Sequence, residues 1–169
     1  MKPLPWFLAA GLLAACASTS DPSAGNLPVG TGLFIFTDSL DAVDTVALDT
    51  AYVQGPVSAP AGATPVVAGF FLVRYDFGLT VGLGGPEFAT LPGTATYPLG
   101  ATGARSVFAD LRWGGEYYRA DSGSVAIRQV RIGVAEWTVR ARLIDQNSPG
   151  QPAYRLVARM VAGPPAAAP

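Results

Sequence analysis

Apolar and polar residues alternate with a period of two along most of the chain between residues 32 and 162. No window there has the i, i+3, i+4, i+7 spacing of apolar residues that indicates an amphipathic helix. Gly, Pro, Asn, Asp and Ser interrupt the alternation, as in an all-β antiparallel sandwich or barrel-like meander of about 8–10 strands. The candidate strands are 33–37, 45–49, 52–57, 65–77, 79–83, 105–113, 116–121, 124–132, 134–145 and 153–161.

The sharpest turn signal is the pair Gly114 and Gly115, because two glycines tolerate the positive φ angles of a type I′ hairpin turn. A two-residue loop there separates an ion pair on one face from apolar residues on the other. The predicted pairs are Trp113 with Glu116, Arg112 with Tyr117, Leu111 with Tyr118 and Asp110 with Arg119.

Two more hairpins complete a predicted meander. A three-residue loop near Gly133 joins the next two strands, and a change of apolar parity predicts a bulge close to Gln129. The last hairpin joins strands 134–145 and 153–161 across residues 146–150, and its predicted facing apolar residues are Trp137, Val139, Ala141 and Leu143 on one strand and Met160, Ala158, Leu156 and Tyr154 on the other. Segment 66–77 is apolar on both faces, which predicts a central strand covered on both sides. The pairs predicted for the second hairpin are Ile127 with Trp137, Val125 with Val139 and Arg128 with Glu136.

The N-terminus has the layout of a secretory signal, with Lys2 ahead of an uncharged run over residues 6–15. This run is too short to span a membrane, which takes about 20 apolar residues. The tetrapeptide Leu13, Ala14, Ala15 and Cys16 resembles the lipobox of bacterial lipoproteins, in which the leader is cut before the cysteine and the thiol carries a diacylglycerol. The resemblance implies a covalent lipid on Cys16 and a membrane anchor in the bacterial cell envelope.

The alternative is an ordinary cleaved leader whose cysteine is incidental. That alternative leaves an exported protein with one unpaired thiol, Cys16, in an oxidising compartment. Ala17 and Ser18 follow the cysteine where an aspartate is associated with inner-membrane retention in enteric lipoproteins. The resemblance therefore favours the outer membrane.

Composition divides the chain into four segments. Residues 1–15 are the expected signal peptide, and residues 16–31 are expected to contain the cysteine whose lipidation the resemblance implies and a flexible tether rich in Ser, Pro and Gly. Residues 32–162 form the β domain, and residues 163–169 form a disordered tail.

Chemistry is restricted because the chain has no histidine and one cysteine. A Ser-His-Asp triad, a Cys-His pair and a histidine general base are excluded, and zinc, copper and haem lose their usual ligands. We therefore expect no enzyme activity, no metal and no cofactor apart from the lipid on Cys16. A hydrolase that uses carboxylates alone remains an alternative, with Glu87, Glu116 and Glu136 as candidates by residue type only.

Charge is distributed unevenly, since residues 16–100 hold seven acids and one arginine whereas residues 101–169 hold nine arginines and five acids. Four of these arginines share one face of the last hairpin and need neutralisation. The acidic segment 38–49 lying across them would supply it, and so would an anionic envelope polymer held by the guanidinium groups. Nucleic acid is not an expected partner of an exported acidic protein. The four arginines are Arg140, Arg142, Arg155 and Arg159.

Trp113, Tyr117 and Tyr118 cluster beside the glycine turn, where exposed rings could stack on a sugar or contact a partner. Packing of Trp113 and Tyr118 into the core is the alternative, and it leaves Tyr117 exposed. The sequence thus favours a lipid-anchored envelope protein whose non-catalytic β domain has a structural or binding role toward a protein or glycan. A barrel that carries a small apolar ligand and the carboxylate-only hydrolase are the other classes.

Overall fold

Every regular element in the described part of the chain is a β-strand. The computed structural model describes residues 27–37, 42–48, 50–57, 66–74, 77–85, 93–100, 106–148 and 154–164. The strands are β1 (Thr31–Thr37), β2 (Val43–Leu48), β3 (Thr50–Val57), β4 (Val66–Arg74), β5 (Phe77–Gly84), β6 (Ala95–Pro98), β7 (Ser106–Trp113), β8 (Glu116–Arg131), β9 (Val134–Asp145) and β10 (Tyr154–Ala162).

All ten strands belong to one sheet with the order β2-β1-β10-β9-β8-β7-β5-β4-β3, while β6 pairs with β8 beside this path. Each pair of neighbouring strands is antiparallel. The sheet is not closed into a barrel, and among the described residues an isolated parallel bridge joins Tyr52 of β3 to Gly163. The prediction of an all-β antiparallel domain is confirmed, and β7 to β10 form the predicted meander.

The sheet curls around one core. Phe36 of β1 and Trp113 of β7 are four strands apart in the sheet order, which would separate them by about 19 Å in a flat sheet. Their ring centroids are 4.4 Å apart, and those of Phe71 and Trp137, on β4 and β9, are 6.0 Å apart. The alternate apolar residues of the strands meet in this interior, because side chains one residue apart point to opposite faces. Its largest fully buried members are Trp137, Phe34, Phe71, Leu79, Leu83, Leu111, Ile127, Leu143, Leu156, Met160 and Val67.

The hairpin at Gly114 and Gly115 has the predicted register from Trp113–Glu116 to Asp110–Arg119. Both glycines have positive φ angles, of 59° and 86°, as a type I′ turn requires. The predicted ion pair is present, with Arg119 Nε 2.9 Å from Asp110 Oδ1.

The second hairpin also has the predicted pairs, including Arg128 with Glu136, and the predicted bulge lies between Gln129 and Arg131. The predicted three-residue loop is wrong. Arg131 pairs with Val134, so the turn has two residues, and the bulge in β8 takes up the extra residue. The last hairpin places Tyr154 opposite Leu143, in the register with apolar residues facing one another.

Three parts of the strand prediction differ from the structure. The predicted strand 65–77 ends at Arg74 in the structure, and Phe77 is the first residue of β5. Segments 116–121 and 124–132 belong to one strand, β8, whose register shifts between Ala120 and Ser122. The short strand β6 was not predicted, because its four residues, ATYP, have too few apolar positions to give a periodic signal. Within the predicted central segment, β4 lies between β5 and β3 with Val67 and Phe71 buried, and the side chains that would test its other face are outside the described residues.

Candidate functional site

A recess of about 330 Å³ opens at the end of the curled sheet beside the Gly114 turn. It lies where β1 ends, where β10 begins and where β7 turns into β8. Its walls are mainly aromatic, and one carboxylate lies at its edge. The residues that line it and matter below are Phe36, Trp113, Glu116, Tyr118 and Tyr154.

The four aromatic rings pack against one another, with one pair stacked and the other pairs at steep angles. Phe36 and Tyr154 are stacked, with centroids 4.9 Å apart and planes 22° apart. Trp113 is nearly perpendicular to Phe36 at 84°, and Tyr118 is nearly perpendicular to Tyr154 at 78°. The rings therefore form a box of intersecting walls and not one flat platform.

The inner face at this end of the sheet carries negative charge. Glu116 and Tyr118 are two residues apart on β8 and therefore share a face, and Asp145 pairs directly with Tyr118. The Asn147 side-chain amide donates a hydrogen bond of 2.6 Å to Glu116 Oε2. The pKa of Tyr118 is raised, first by burial and then by the neighbouring Tyr154, Asp145 and Glu116.

The arginines near the turn lie on the opposite face. Arg112 pairs with Tyr117, and Arg119 pairs with Asp110. No arginine is among the described residues that line the recess. The acidic character of the recess is therefore not neutralised from within the part of the wall that the structure describes.

The three aromatic residues predicted near the turn lie in different environments, as expected if Trp113 and Tyr118 pack in the core. Tyr118 is 8% exposed and belongs to the core, and Trp113 is half-buried against it. Tyr117 lies on the outer face, where its hydroxyl accepts a hydrogen bond of 3.0 Å from Arg119. Burial and then Asp110 raise the pKa of Tyr117, and these effects outweigh the lowering by Arg119.

Sequence reasoning missed Phe36 and Tyr154 as members of the site. The predicted register of the last hairpin put Tyr154 on the inner face at this end, which was a usable signal. No sequence signal indicated Phe36, because β1 reaches the site through its non-local pairing with β10. Glu116 was considered only as a hydrolase carboxylate, and it is the first residue of β8.

The four predicted anion-binding arginines share the outer face of β9 and β10. Arg142 and Arg155 are direct partners in the ladder, and Arg140 and Arg159 pair with Val157 and Thr138. Arg142 Nη1 lies 3.6 Å from Asp121 Oδ2 on β8, and Arg159 donates to Glu136 on β9. These two partners come from neighbouring strands. The predicted acidic cover, segment 38–49, does not lie across these arginines where it is described, because Val43–Leu48 is the edge strand β2 beside β1. Asp38, Asp41, Asp49 and the side chain of Asp44 lie outside the described residues.

Glu136 is a buried carboxylate, 8% exposed, held between two arginines. Arg128 Nε donates to its Oε2 at 2.9 Å, and Arg159 Nε donates to its Oε1. Burial alone favours the neutral acid, but the hydrogen bonds and charges of Arg159 and Arg128 outweigh it, so the pKa of Glu136 is lowered. The predicted partner Arg128 is confirmed, and Arg159 is an additional one.

The remaining predicted positions fall outside the described residues. Cys16 and the three residues before it, Leu13, Ala14 and Ala15, are among them, as is Glu87. Within the described ranges, no helix has the length and apolar character needed to cross a bilayer. In those same ranges, no group of three His, Cys, Asp or Glu side chains gathers as a metal site.

Comparisons with protein-family models, with curated proteins and with solved structures found no match.

Proposed function

We propose that this chain is a lipid-anchored protein of the bacterial cell envelope whose β domain binds a ligand or partner segment in the aromatic recess. The single observation that carries the binding role is the recess of about 330 Å³ walled by four aromatic rings. Clefts of roughly 300–1,000 Å³ with apolar walls and few polar groups are typical of ligand sites. The volume of this recess is near the lower end of that range, and four of its lining residues are aromatic.

The position of the recess suits an anchored protein. The described chain begins at the opposite end of β1, where Gly30 N donates to Val161 O at 2.7 Å. β1 then runs for seven residues to Thr37, a length of about 20 Å. A tether from a lipidated Cys16 would therefore enter the domain at the end away from the recess, which leaves the recess open toward the aqueous side.

The two predicted hydrolase glutamates that the structure describes, Glu116 and Glu136, do not lie together. Glu116 pairs with Trp113 at the recess end, whereas Glu136 pairs with Arg128 and Val161 near the other end. A glycosidase pair needs two carboxyl groups roughly 5–9.5 Å apart across a cleft. Glu136 is also held by two arginines and belongs to a structural ion-pair group.

The filled interior supports the recess over a central cavity as the ligand site. A small-ligand carrier needs an empty barrel interior. Here the middle of the curled sheet contains Trp137, Phe71 and Leu111, all fully buried. We therefore propose the end recess as the place of binding.

The anchor is tested by metabolic labelling with a palmitate analogue in the producing bacterium. The wild-type chain should incorporate the label and fractionate with membranes. Cys16→Ser should lose the label and keep its leader, because the acylated sulfur is gone. Equal labelling of the two forms would overturn the lipoprotein assignment.

The binding role is tested by photo-crosslinking in the same cells. A benzophenone amino acid at Ala42, an exposed residue that lines the recess, should give a discrete adduct. The matched position is the exposed Gln129 near the other end of β8, where no adduct of that size is expected. Trp113→Ala should remove the Ala42 adduct. Identical adducts from both positions, or one insensitive to Trp113→Ala, would contradict a role for the recess.

A further inference from the structure

The recess combines two features that together limit the chemical class of its ligand. Its walls are aromatic rings, and the charges on the same sheet face are the carboxylates of Glu116 and Asp145. Aromatic faces have a negative quadrupole and attract cations within about 6 Å of the ring centroid. A carboxylate beside such rings adds a full negative charge, so the electrostatics favour a positive ligand.

The ring geometry favours a compact cation over a flat ligand. A sugar or another planar group stacks best on one open ring face. Here Phe36 is stacked on Tyr154, while Trp113 is nearly perpendicular to Phe36 and Tyr118 is nearly perpendicular to Tyr154, so rings in different orientations line the recess. A compact alkyl-substituted ammonium group can contact several of these rings at once.

The charge pattern excludes an anion from the same place. Glu116 and Asp145 lie on the inner face with Tyr118, while Arg112 and Arg119 lie on the outer face. Among the described lining residues, an anion in the recess would meet the carboxylate of Glu116 and no arginine. Its volume, about 330 Å³, is near the lower end of known ligand sites and suits a small molecule or a single side chain.

We propose that the recess binds an organic ammonium group, either a small quaternary or alkyl ammonium compound or the side chain of a partner's lysine. The ammonium contacts the aromatic walls formed by Trp113, Tyr118, Phe36 and Tyr154. Glu116 supplies the counter-charge and is oriented by the amide of Asn147. This proposal rests on the recess being the binding site of the domain, and it names the chemistry of the ligand.

The test compares charged probes with neutral isosteres by isothermal titration calorimetry on the full-length chain in a nonionic detergent. Tetramethylammonium is matched with tert-butanol, and N-acetyl-lysine amide with N-acetyl-norleucine amide. In at least one pair, the charged probe should bind about tenfold more tightly, the size of a cation–π contact removed from water. Preference for tetramethylammonium identifies a free ammonium compound, and preference for the lysine amide identifies a partner side chain.

Two variants that each remove one negative charge control the experiment. Glu116→Gln should reduce the affinity for the preferred cation about tenfold. Asp110→Asn, on the outer face, should leave it within about twofold, because long-range charge effects are screened by salt. Circular dichroism verifies that both variants fold. Equal binding of charged and neutral probes, saturable binding of none, or equal losses in the two variants would overturn the ammonium proposal.

The two proposals fail separately. A chain that is labelled on Cys16 and cross-links through the recess, yet does not prefer the charged probe, contradicts only the ammonium ligand. A chain that binds the ammonium probes but is neither lipidated nor cross-linked in cells contradicts the envelope function and leaves the chemistry of the recess in place.

Discussion

Glu136 on β9 accepts a hydrogen bond from Arg159 on β10. Arg128, the partner predicted from the sequence, lies on β8, on the other side of β9. Glu136 and Arg159 are diagonal neighbours, because Arg159 pairs directly with Thr138. Both are mostly shielded from water, with side-chain exposures of 16% for Arg159 and 10% for Glu136. Their interaction therefore weighs more in the stability of the fold than the exposed ion pairs do.

Glu136→Gln should lower the free energy of unfolding by about 2–3 kcal/mol at pH 7, because it leaves Arg159 partly buried without its counter-charge. The cost falls below that of a fully buried pair because Arg128 is 64% exposed. Urea denaturation measures the change, and Glu116→Gln is the matched control. This exposed carboxylate should change stability by no more than about 0.5 kcal/mol. Equal effects of the two substitutions would contradict the buried-pair interpretation.

The stability supplied by Glu136 should depend on pH in a defined direction. Its pKa is lowered in the folded protein, so its contribution is complete above the pKa of the unfolded chain, about 4.3. It is lost as the pH falls through the lower folded value, where the carboxylate becomes protonated. The difference between wild type and Glu136→Gln should therefore be constant from pH 7 to about pH 5 and shrink below about pH 4. A difference that grew on acidification would contradict this sign.

The Asp110–Arg119 pair should contribute much less to stability. Arg119 donates to both carboxylate oxygens of Asp110, at 2.9 and 3.2 Å, but its side chain is 54% exposed. A double-mutant cycle with Asp110→Ala and Arg119→Ala should give a coupling of about 0.2–1 kcal/mol. The coupling should fall in about 1 M salt, where the Debye length is about 3 Å. A coupling above about 2 kcal/mol that is insensitive to salt would show that solvent does not screen the pair.

Gly123→Ala should destabilise the domain more than Gly133→Ala. Both glycines have positive φ angles, 128° and 74°, so both substitutions strain the backbone. An added Cβ at Gly123 would lie 2.0 Å from the Arg140 carbonyl oxygen, whereas nothing lies within 4 Å at Gly133. We expect about 1 kcal/mol for Gly133→Ala and at least about 2 kcal/mol more for Gly123→Ala. Chemical denaturation compares them, and equal losses would mean that β9 moves away at little cost.

The local pairings were predictable from the sequence because a turn and the parity of apolar residues together define a register. The hairpin around Gly114 has the predicted pairs for that reason, whereas the pairs of the Gly133 hairpin follow from parity, since the predicted loop length there was wrong and the bulge in β8 compensates for it. The neighbours of β1, β5 and β3 were not predictable, since parity tells which face a residue takes and not which distant strand lies beside it. Phe36 was missed at the recess on this account.

A signal for the Glu136–Arg159 contact was present in the predicted register. Trp137 opposite Met160 makes Glu136 and Arg159 diagonal neighbours, within reach of long side chains. Arg128 was predicted because it lies directly opposite Glu136, whereas Arg159 is a diagonal neighbour. The angles between the recess rings were beyond any sequence pattern, because they depend on rings from β1, β7, β8 and β10 meeting across the interior.

The pairing of the continuous strand β8 with three other strands affects how the domain unfolds. This strand pairs with β7 over Glu116 to Arg119, with β6 over Ser124 to Ile127, and with β9 along nearly its whole length. Its central amide hydrogens should be among the last to exchange with deuterium, since releasing them frees three other strands. Heating should accordingly melt the two ends of the sheet in a single cooperative step.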